Sequence, residues 1–288
     1  MYSLEISPRS CRSDAELAVL RGTLATRALY EELIEEDSRV TVRGEGVLAR
    51  LVRNPLPEKL VRTSAEHLRA VHGDLTNRGS VVYRGSMMNR ERADSSFSNT
   101  KAVPQSMIDL LAEENAGVGL PPPQSNFLGY YDKTPRMPFC RETAWTLARP
   151  AIFAISEPLA REVEYVNKAE DKPSWRRQRD FMRNVSQDFK YHNSIYSTMT
   201  VNLDLQCALH TDTGDYTGGL GNLVVLELGR DDSGILVMPR ERVAFIVRPR
   251  DVLLMDVHHL HGNLPLTFGG TRLTLVLYAR KRLRECGK

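Results

Sequence analysis

In the stretch ALHTDTGDYTGGLGNLVVLELG, residues 208–229, His210 and Asp212 stand one residue apart where a strand-like run gives way to glycines. Alone, a His-x-Asp pair is as compatible with a polar turn as with a metal site. Two later features raise its meaning. The segment DVLLMDVHHLHGNLP, residues 251–265, brings His258, His259 and His261 to the end of another strand-like run, and Arg272 opens the next run eleven residues past His261. Two imidazoles and one carboxylate on one face of a metal leave three coordination positions open, which is the ligand set of non-haem Fe(II) oxygenases. Two of those positions suit the 2-oxo acid end of 2-oxoglutarate and the third suits dioxygen. The far carboxylate of that cosubstrate then requires a cation, and an arginine offers a two-pronged match. Thr274 shares the face of Arg272, because strand side chains alternate.

Three histidines compete for the last ligand position. His258 and His259 are strand neighbours and cannot both face inward. His261 stands just before the turn HGNLP and is the expected third ligand, with His258 as the alternative.

The elements that must position these residues follow from hydrophobic period. After Tyr191, six short runs rich in Val, Leu, Ile, Thr and aromatics are separated by turn signals such as DDSG, PRE and RPRD, with no helical pattern between them. That spacing predicts an antiparallel sandwich or barrel. Upstream, residues 14–37 carry apolar residues at helical spacing with Asp14 as the expected N-cap, and SAEHLRAVHGD suggests a second helix capped by Ser64. Residues 150–189 read as helix again, made basic by Lys172, Arg176, Arg177, Arg179 and Arg183, a pattern that suits a solvated face first and a phosphate-backbone track second. Between them, residues 75–141 are irregular and rich in Asn, Gly, Ser and Pro, as substrate walls often are. The division expected is a helical region at 1–74, a loop-rich lid at 75–149, and a buttress helix with the β core at 150–288; residues 75–288 would form one catalytic domain.

Composition excludes several classes. The 288 residues are 41% hydrophobic and 26% charged, ordinary for a globular chain able to bury a large core. No apolar run reaches bilayer length and MYSLEISPRSCRSD lacks the apolar centre of a signal peptide, so a cytoplasmic protein is expected, nuclear in a eukaryotic host, with no membrane partner. Cys11, Cys140, Cys207 and Cys286 are scattered without a CxxC pair, which suggests isolated thiols rather than a zinc ribbon or disulfide framework. The net charge of +3 does not by itself announce a nucleic-acid binder, and the oligomeric state is left open.

The segments TMTVNLDLQCALHTDTGDYTGGLGNLVVLE, GILVMPRERVAFIVRPRDVLLMDVHHLHGNLP and TRLTLVLYARKRLRECG resemble the TET/JBP family of Fe(II)/2-oxoglutarate dioxygenases, especially its phage and bacterial thymine- and 5-methylcytosine-hydroxylase-like members. The strong likeness covers residues 190–287, and weaker echoes lie at LTNRG and at SNFLGYYD with CRETAW. The resemblance implies an α+β fold built on a double-stranded β-helix (a jelly-roll, cupin-like core) with flanking helices. It implies Fe(II) on His210, Asp212 and His261, and 2-oxoglutarate held by Arg272, Thr274 and Arg78, with O2 as the second cosubstrate. The implied reaction hydroxylates the 5-methyl group of a pyrimidine in DNA, with the target base flipped from the stack. Asp215, Asn126, Tyr130, Tyr131 and Arg141 would line the base pocket, and Asn202 would face the cosubstrate. Asp215 stands where mammalian members carry an asparagine. A carboxylate only accepts hydrogen bonds, and thymine donates at N3 where cytosine accepts, so thymine is the favoured base; a turn-capping role for Asp215 is equally consistent with its position. Two other readings stay open: the same chemistry on a free nucleoside or other small metabolite, and a non-catalytic nucleic-acid-binding module on a cupin-like barrel.

Overall fold

The computed structural model describes residues 1–71, 81–83, 86–88, 124–134, 137–205, 207–229, 234–264 and 271–286. In chain order the strands are β1 (Tyr2–Ile6), β2 (Glu32–Ile34), β3 (Ser38–Val42), β4 (Gly46–Val52), the hairpin β5 (Val81–Tyr83) and β6 (Ser86–Met88), β7 (Gln124–Tyr131), β8 (Arg141–Glu142), β9 (Thr198–Leu203), β10 (Gly221–Leu228), β11 (Leu236–Met238), β12 (Val243–Phe245), β13 (Val252–Met255), β14 (Gly262–Asn263) and β15 (Arg272–Tyr278). The α-helices are α1 (Asp14–Leu20), α2 (Glu58–Leu68), α3 (Ala144–Ala148), α4 (Pro150–Ile155), α5 (Glu157–Glu170) and α6 (Lys172–Arg183). A nine-stranded sheet runs β1-β3-β4-β13-β10-β15-β9-β7-β8, and a four-stranded sheet runs β14-β11-β12-β2. Together they form the jelly-roll core expected from the sequence, with helices flanking the larger sheet.

Alternation along each strand sorts its side chains between layers. On β15, Leu273, Leu275 and Leu277 are fully buried in the same cluster as Leu159, Ala160 and Val163 of α5 and Val61, Ala65 and Leu68 of α2. Arg272, Thr274, Val276 and Tyr278, the alternate set, line the cavity between the sheets. On β11, Leu236 and Met238 join the inter-sheet core with Phe245 and Leu253, while Val237 faces outward into a cluster that includes Ala244 and Ile246. One strand therefore carries both a packing face and a chemical face.

The N-terminal region differs from its expected helical character. Of residues 14–37 only Asp14–Leu20 is α-helical, and Ser13 rather than Asp14 is its cap: Ser13 and Glu16 form a reciprocal capping box. The chain turns at Gly22, whose φ of 81° suits glycine. Leu17, Leu20, Leu29 and Leu33, which gave the helical spacing, are instead gathered onto the outer face of the small sheet. Four strands of the two sheets come from this region: β1 pairs with β3, β3 with β4, β4 with β13, and β2 with β12. The second helix begins at Glu58, so Ser64 is a buried mid-helix residue and not its cap. The expected 150–189 helix is three, broken at Ser156 and Asp171.

The cysteines also depart from expectation. Cys140 and Cys286 form a disulfide with Cα atoms 5.8 Å apart, and Cys11 and Cys207 lie outside it. The bonded two are 146 residues apart in sequence, so no local spacing could announce the pair. The antiparallel β7–β8 ladder and the C-terminal turn bring them together. Among the described residues, no helix is long and apolar enough to cross a membrane.

Candidate active site

A cavity of about 390 Å³ opens between the two sheets, lined by His210, Asp212, Asp215, His261, Arg272 and Thr274 among others. The end of the cavity that carries His210, Asp212 and His261 lies at the edge of the small sheet. His210 and His261 face each other across an isolated antiparallel bridge, each backbone N–H donating to the other's carbonyl at 2.9 Å. Asp212, two residues on, is fixed by its N–H donating to the Val257 carbonyl at 2.9 Å. One potential ligand atom from each of His210, Asp212 and His261 lies within 4.8 Å of the others. Asp212 carboxylate oxygens stand 3.6 Å from Nε2 of each histidine.

Backbone carbonyls set the tautomers. Nδ1 of His210 lies 2.8 Å from the Ala208 carbonyl, and Nδ1 of His261 lies 2.9 Å from the His259 carbonyl. A carbonyl only accepts, so each Nδ1 carries a proton and each Nε2 is the atom turned to the shared point. This is the usual way a protein orients imidazole ligands. Two imidazoles presenting Nε2 and one carboxylate, aimed at one point and leaving the cavity side open, fit Fe(II). His258 is committed elsewhere: its Nδ1 lies 3.0 Å from Asp256 Oδ1 and its Nε2 3.3 Å from the Asp215 carbonyl. His259 is paired with Glu241 at 2.7 Å.

The other end of the cavity is marked by Arg272. Its backbone N–H donates to Asp204 Oδ1 at 2.7 Å, which anchors the strand start. Its side chain is 5% exposed, yet Nε and Nη2 have no hydrogen-bond partner among the described residues. Burial lowers the guanidinium's pKa to about 10. Buried polar groups are nearly always paired, so a buried guanidinium with two open donors is a socket for a carboxylate. Gly234, with φ of 74°, lies over it: a Cβ there would sit 2.7 Å from Arg272 Cδ. Thr274, opposite Asn202 in the β15–β9 ladder, adds a hydroxyl to the same wall. These donors fit the distal carboxylate of 2-oxoglutarate.

Other predicted residues divide. Asn202 lines the cavity and its amide orientation is fixed by Ser125 Oγ, which donates to Oδ1 at 2.6 Å. Asp215, 8% exposed, also lines the cavity; its N–H donates to the Asp212 carbonyl at 3.3 Å, so it sits in the turn that leaves the triad. Asn126 and Tyr130 alternate with Ser125 and Phe127 and are not in the lining; Tyr130 packs edge-on against Phe153 and Phe189. Arg141 stands outside the lining too, with its guanidinium 5.2 Å from the Tyr131 ring centre. Arg78 lies outside the described residues.

Sequence reasoning did not single out Thr200, Tyr278, Asp132 or Arg280. Thr200 and Tyr278 face the cavity and touch at 3.3 Å. Their signal was available, since they continue the alternation set by Asn202 and Thr274. Arg280 also lines the cavity and is bridged through its backbone to Asp215. Its Nε donates to Asp132 at 2.8 Å, and its guanidinium lies 4.9 Å from the centre of the Tyr131 ring. Burial opposes its charge, but Tyr278 and Asp132 outweigh that and hold it protonated.

A jelly-roll with a His-Asp-His cluster at its mouth and a buried arginine socket belongs to the class of Fe(II)/2-oxoglutarate oxygenases. Residues 127–281 match the Tet/JBP family, described as the oxygenase domain of the 2OGFeDO superfamily, and the chain belongs to that family. The superfamily uses Fe(II), 2-oxoglutarate and O2. Curated relatives include thymine dioxygenase JBP1 of Leishmania major, 32% identical over 177 residues, covering 57% of this chain and 20% of the relative. Another is the bifunctional helicase and thymine dioxygenase JBP2 of Leishmania infantum, 32% identical over 157 residues, covering 54% of this chain and 14% of the relative. The chain thus spans a fifth or less of the length of these relatives. Among solved structures, NgTET1 in complex with 5mC DNA shares the fold with a TM-score of 0.57 at 16% identity, covering 88% of this chain and 83% of that one.

Proposed function

We propose that the protein hydroxylates the 5-methyl group of a pyrimidine base in DNA, thymine ahead of 5-methylcytosine, using Fe(II) and 2-oxoglutarate. The observation that carries the reading is the convergence of three features in one cavity: the triad, the Arg272 socket and Asp215. Bound iron and cosubstrate would supply oxygen activation coupled to decarboxylation of 2-oxoglutarate. His210, Asp212 and His261 would hold the metal, and Arg272 with Thr274 would hold the distal carboxylate. The apolar wall of Leu205, Leu223, Met255 and Val257 keeps water from the reacting end. The names of the curated relatives support thymine as the base and DNA as the partner.

Asp215 supports the choice of base. As an acceptor it suits N3–H of thymine, and the protonated Arg280 beside it suits a flanking carbonyl oxygen. The likeness to a 5mC DNA complex favours a second reading, in which the same carboxylate accepts from the exocyclic amine of 5-methylcytosine. Equal amounts of thymine-only and 5-methylcytosine-containing duplex, offered together and analysed by mass spectrometry of the digested nucleosides, separate the two. Oxidised thymidine in excess supports the thymine reading. Oxidised 5-methyldeoxycytidine alone replaces it with the second, and turnover of free nucleosides only would remove DNA from the account.

A further inference from the structure

The surface that packs on the loop after Asp212 carries an arrangement that the chemistry within the cavity does not explain. On α6, Lys172, Arg176, Arg179 and Arg183 recur at helical spacing and all are exposed. They form one stripe roughly 17 Å long. The opposite face of α6 is occupied: Trp175, Gln178, Phe181 and Met182 are buried. Around the edge of the helix, Arg177 Nε donates to the Gly218 carbonyl at 2.9 Å, and the Phe181 ring stacks on Tyr216 at 4.2 Å. Both contacts are to the loop that begins at the metal-side Asp212 and carries Asp215.

A second basic segment braces the same loop. Lys281 Nζ donates to the Thr213 carbonyl at 2.6 Å, and Arg282 and Arg284 beside it are exposed. The two segments adjoin: Phe181, Met182 and Val185 share one buried cluster with Leu283 and Cys286. Helix α6 carries five basic residues and one acidic, and residues 280–286 carry four and one. Their joint excess is larger than the +3 of the whole chain, so the remainder of the protein is net acidic. Positive charge is thus concentrated on the two segments that grip the active-site loop. Mutual repulsion along a single helix stripe is unfavourable at close spacing, and the stripe is stabilised when a polyanion neutralises it.

We infer that Lys172, Arg176, Arg179 and Arg183 of α6, together with Arg282 and Arg284, form a track that binds the phosphodiester backbone of DNA and delivers a base to the Asp215 end of the cavity. The inference rests on the DNA-base reading given above. Duplex DNA carries one charge per about 1.7 Å of axis, so the stripe is long enough to meet several phosphates. Contacts of this kind position the strand and carry no sequence information. Base choice remains with the cavity.

The test is fluorescence anisotropy of a labelled thymine-containing duplex against a series of salt concentrations, without 2-oxoglutarate. Arg176→Gln/Arg183→Gln and Arg282→Gln/Arg284→Gln should each weaken binding about tenfold and lower the slope of log K against log salt by about 2, roughly one per lost phosphate contact. Arg9→Gln/Arg27→Gln, which removes two exposed arginines elsewhere, should leave both unchanged. Melting temperatures identify any variant that fails to fold, and Arg176→Lys/Arg183→Lys should retain binding and slope. Track variants that bind with the wild-type slope, or a control pair that loses as much as they do, overturn the inference. Tighter salt-dependent competition by an RNA hairpin or an acidic peptide than by DNA also overturns it. If the track variants lose DNA binding but the wild type oxidises no base, the surface stands and the hydroxylase reading falls. If they oxidise DNA normally with an unchanged slope, the reverse holds.

Discussion

The two ends of the cavity are completed in different ways. At the metal end, backbone carbonyls of Ala208 and His259 orient the two rings, and the chain supplies every contact that aims the Nε2 atoms. At the other end, Arg272 is buried with two guanidinium nitrogens that no described residue satisfies. The first end is preorganised by the fold alone. On the proposed function the second would be finished by a ligand, at a standing cost in stability that binding would remove. The same strand, β15, achieves this with one face packed on helices and the other carrying Arg272, Thr274 and Tyr278 into the cavity.

The largest effect expected is at the metal end. Replacing His210 with Ala should abolish metal-dependent 2-oxoglutarate turnover, at least a thousandfold, while the fold persists, because the ring lies at the cavity rim. Metal titration by calorimetry checks this; retained affinity would show that the triad is not the site. Next comes Arg272. Arg272→Met should raise the apparent Kd for 2-oxoglutarate by about a hundredfold, in keeping with the loss of a two-pronged charged contact of about 3 kcal/mol. It should also raise the melting temperature of the ligand-free protein, because a buried unpaired charge is removed. A fall in melting temperature would mean that the guanidinium is already satisfied and would break the contrast between the two ends.

A smaller change is expected from Asp215→Asn. An amide both donates and accepts, so competition between thymine and 5-methylcytosine duplexes should shift toward the latter by about five- to tenfold, the size of one hydrogen bond. An unchanged ratio would return Asp215 to a turn-capping role.

The smallest concerns the loop carrying His261. Burial pushes the Asp256 carboxyl up, but hydrogen bonds from the His258 ring and N–H bring it below its ordinary value; the same bond to Asp256 raises His258. The Asp256 contribution is present above the ordinary carboxylate value and lost as pH falls through its lowered one. The His258 contribution is present below the ordinary imidazole value and lost as pH rises through its raised one. His258→Gln should therefore flatten the alkaline limb of the metal-free stability profile. A limb of unchanged steepness would show that this pair contributes nothing to the loop.

The difference between these regions also explains what the sequence could reveal. The gathering of His210, Asp212, His261, Arg272 and Thr274 into one cavity was legible because each sits on or beside a strand whose period places it. The jelly-roll core was legible for the same reason: β9–β13 and β15 alternate cleanly between an apolar layer and the cavity or inter-sheet core. Residues 24–34 were not. Leu29 and Leu33 match helical spacing, yet Gly22 turns the chain and the small sheet captures these leucines, a tertiary outcome that local period does not encode. Tyr130 and Tyr131 show the limit at single-residue scale. Both are tyrosines in one strand, and only the register at the end of β7, where it pairs with β8, turns Tyr131 toward Arg280 and Tyr130 toward Phe153. The Cys140–Cys286 pairing is likewise a product of topology.

On the proposed function, one cavity couples 2-oxoglutarate decarboxylation to hydroxylation of a base in DNA. Its most direct test is the molar ratio of succinate to 5-hydroxymethyl base formed on thymine-containing duplex with Fe(II), ascorbate and O2, with the His210→Ala protein in parallel. A ratio near one, with both products missing from the variant, is the predicted result. Succinate formed without any oxidised base, on thymine or 5-methylcytosine DNA, would contradict the claim and leave a small molecule as the substrate.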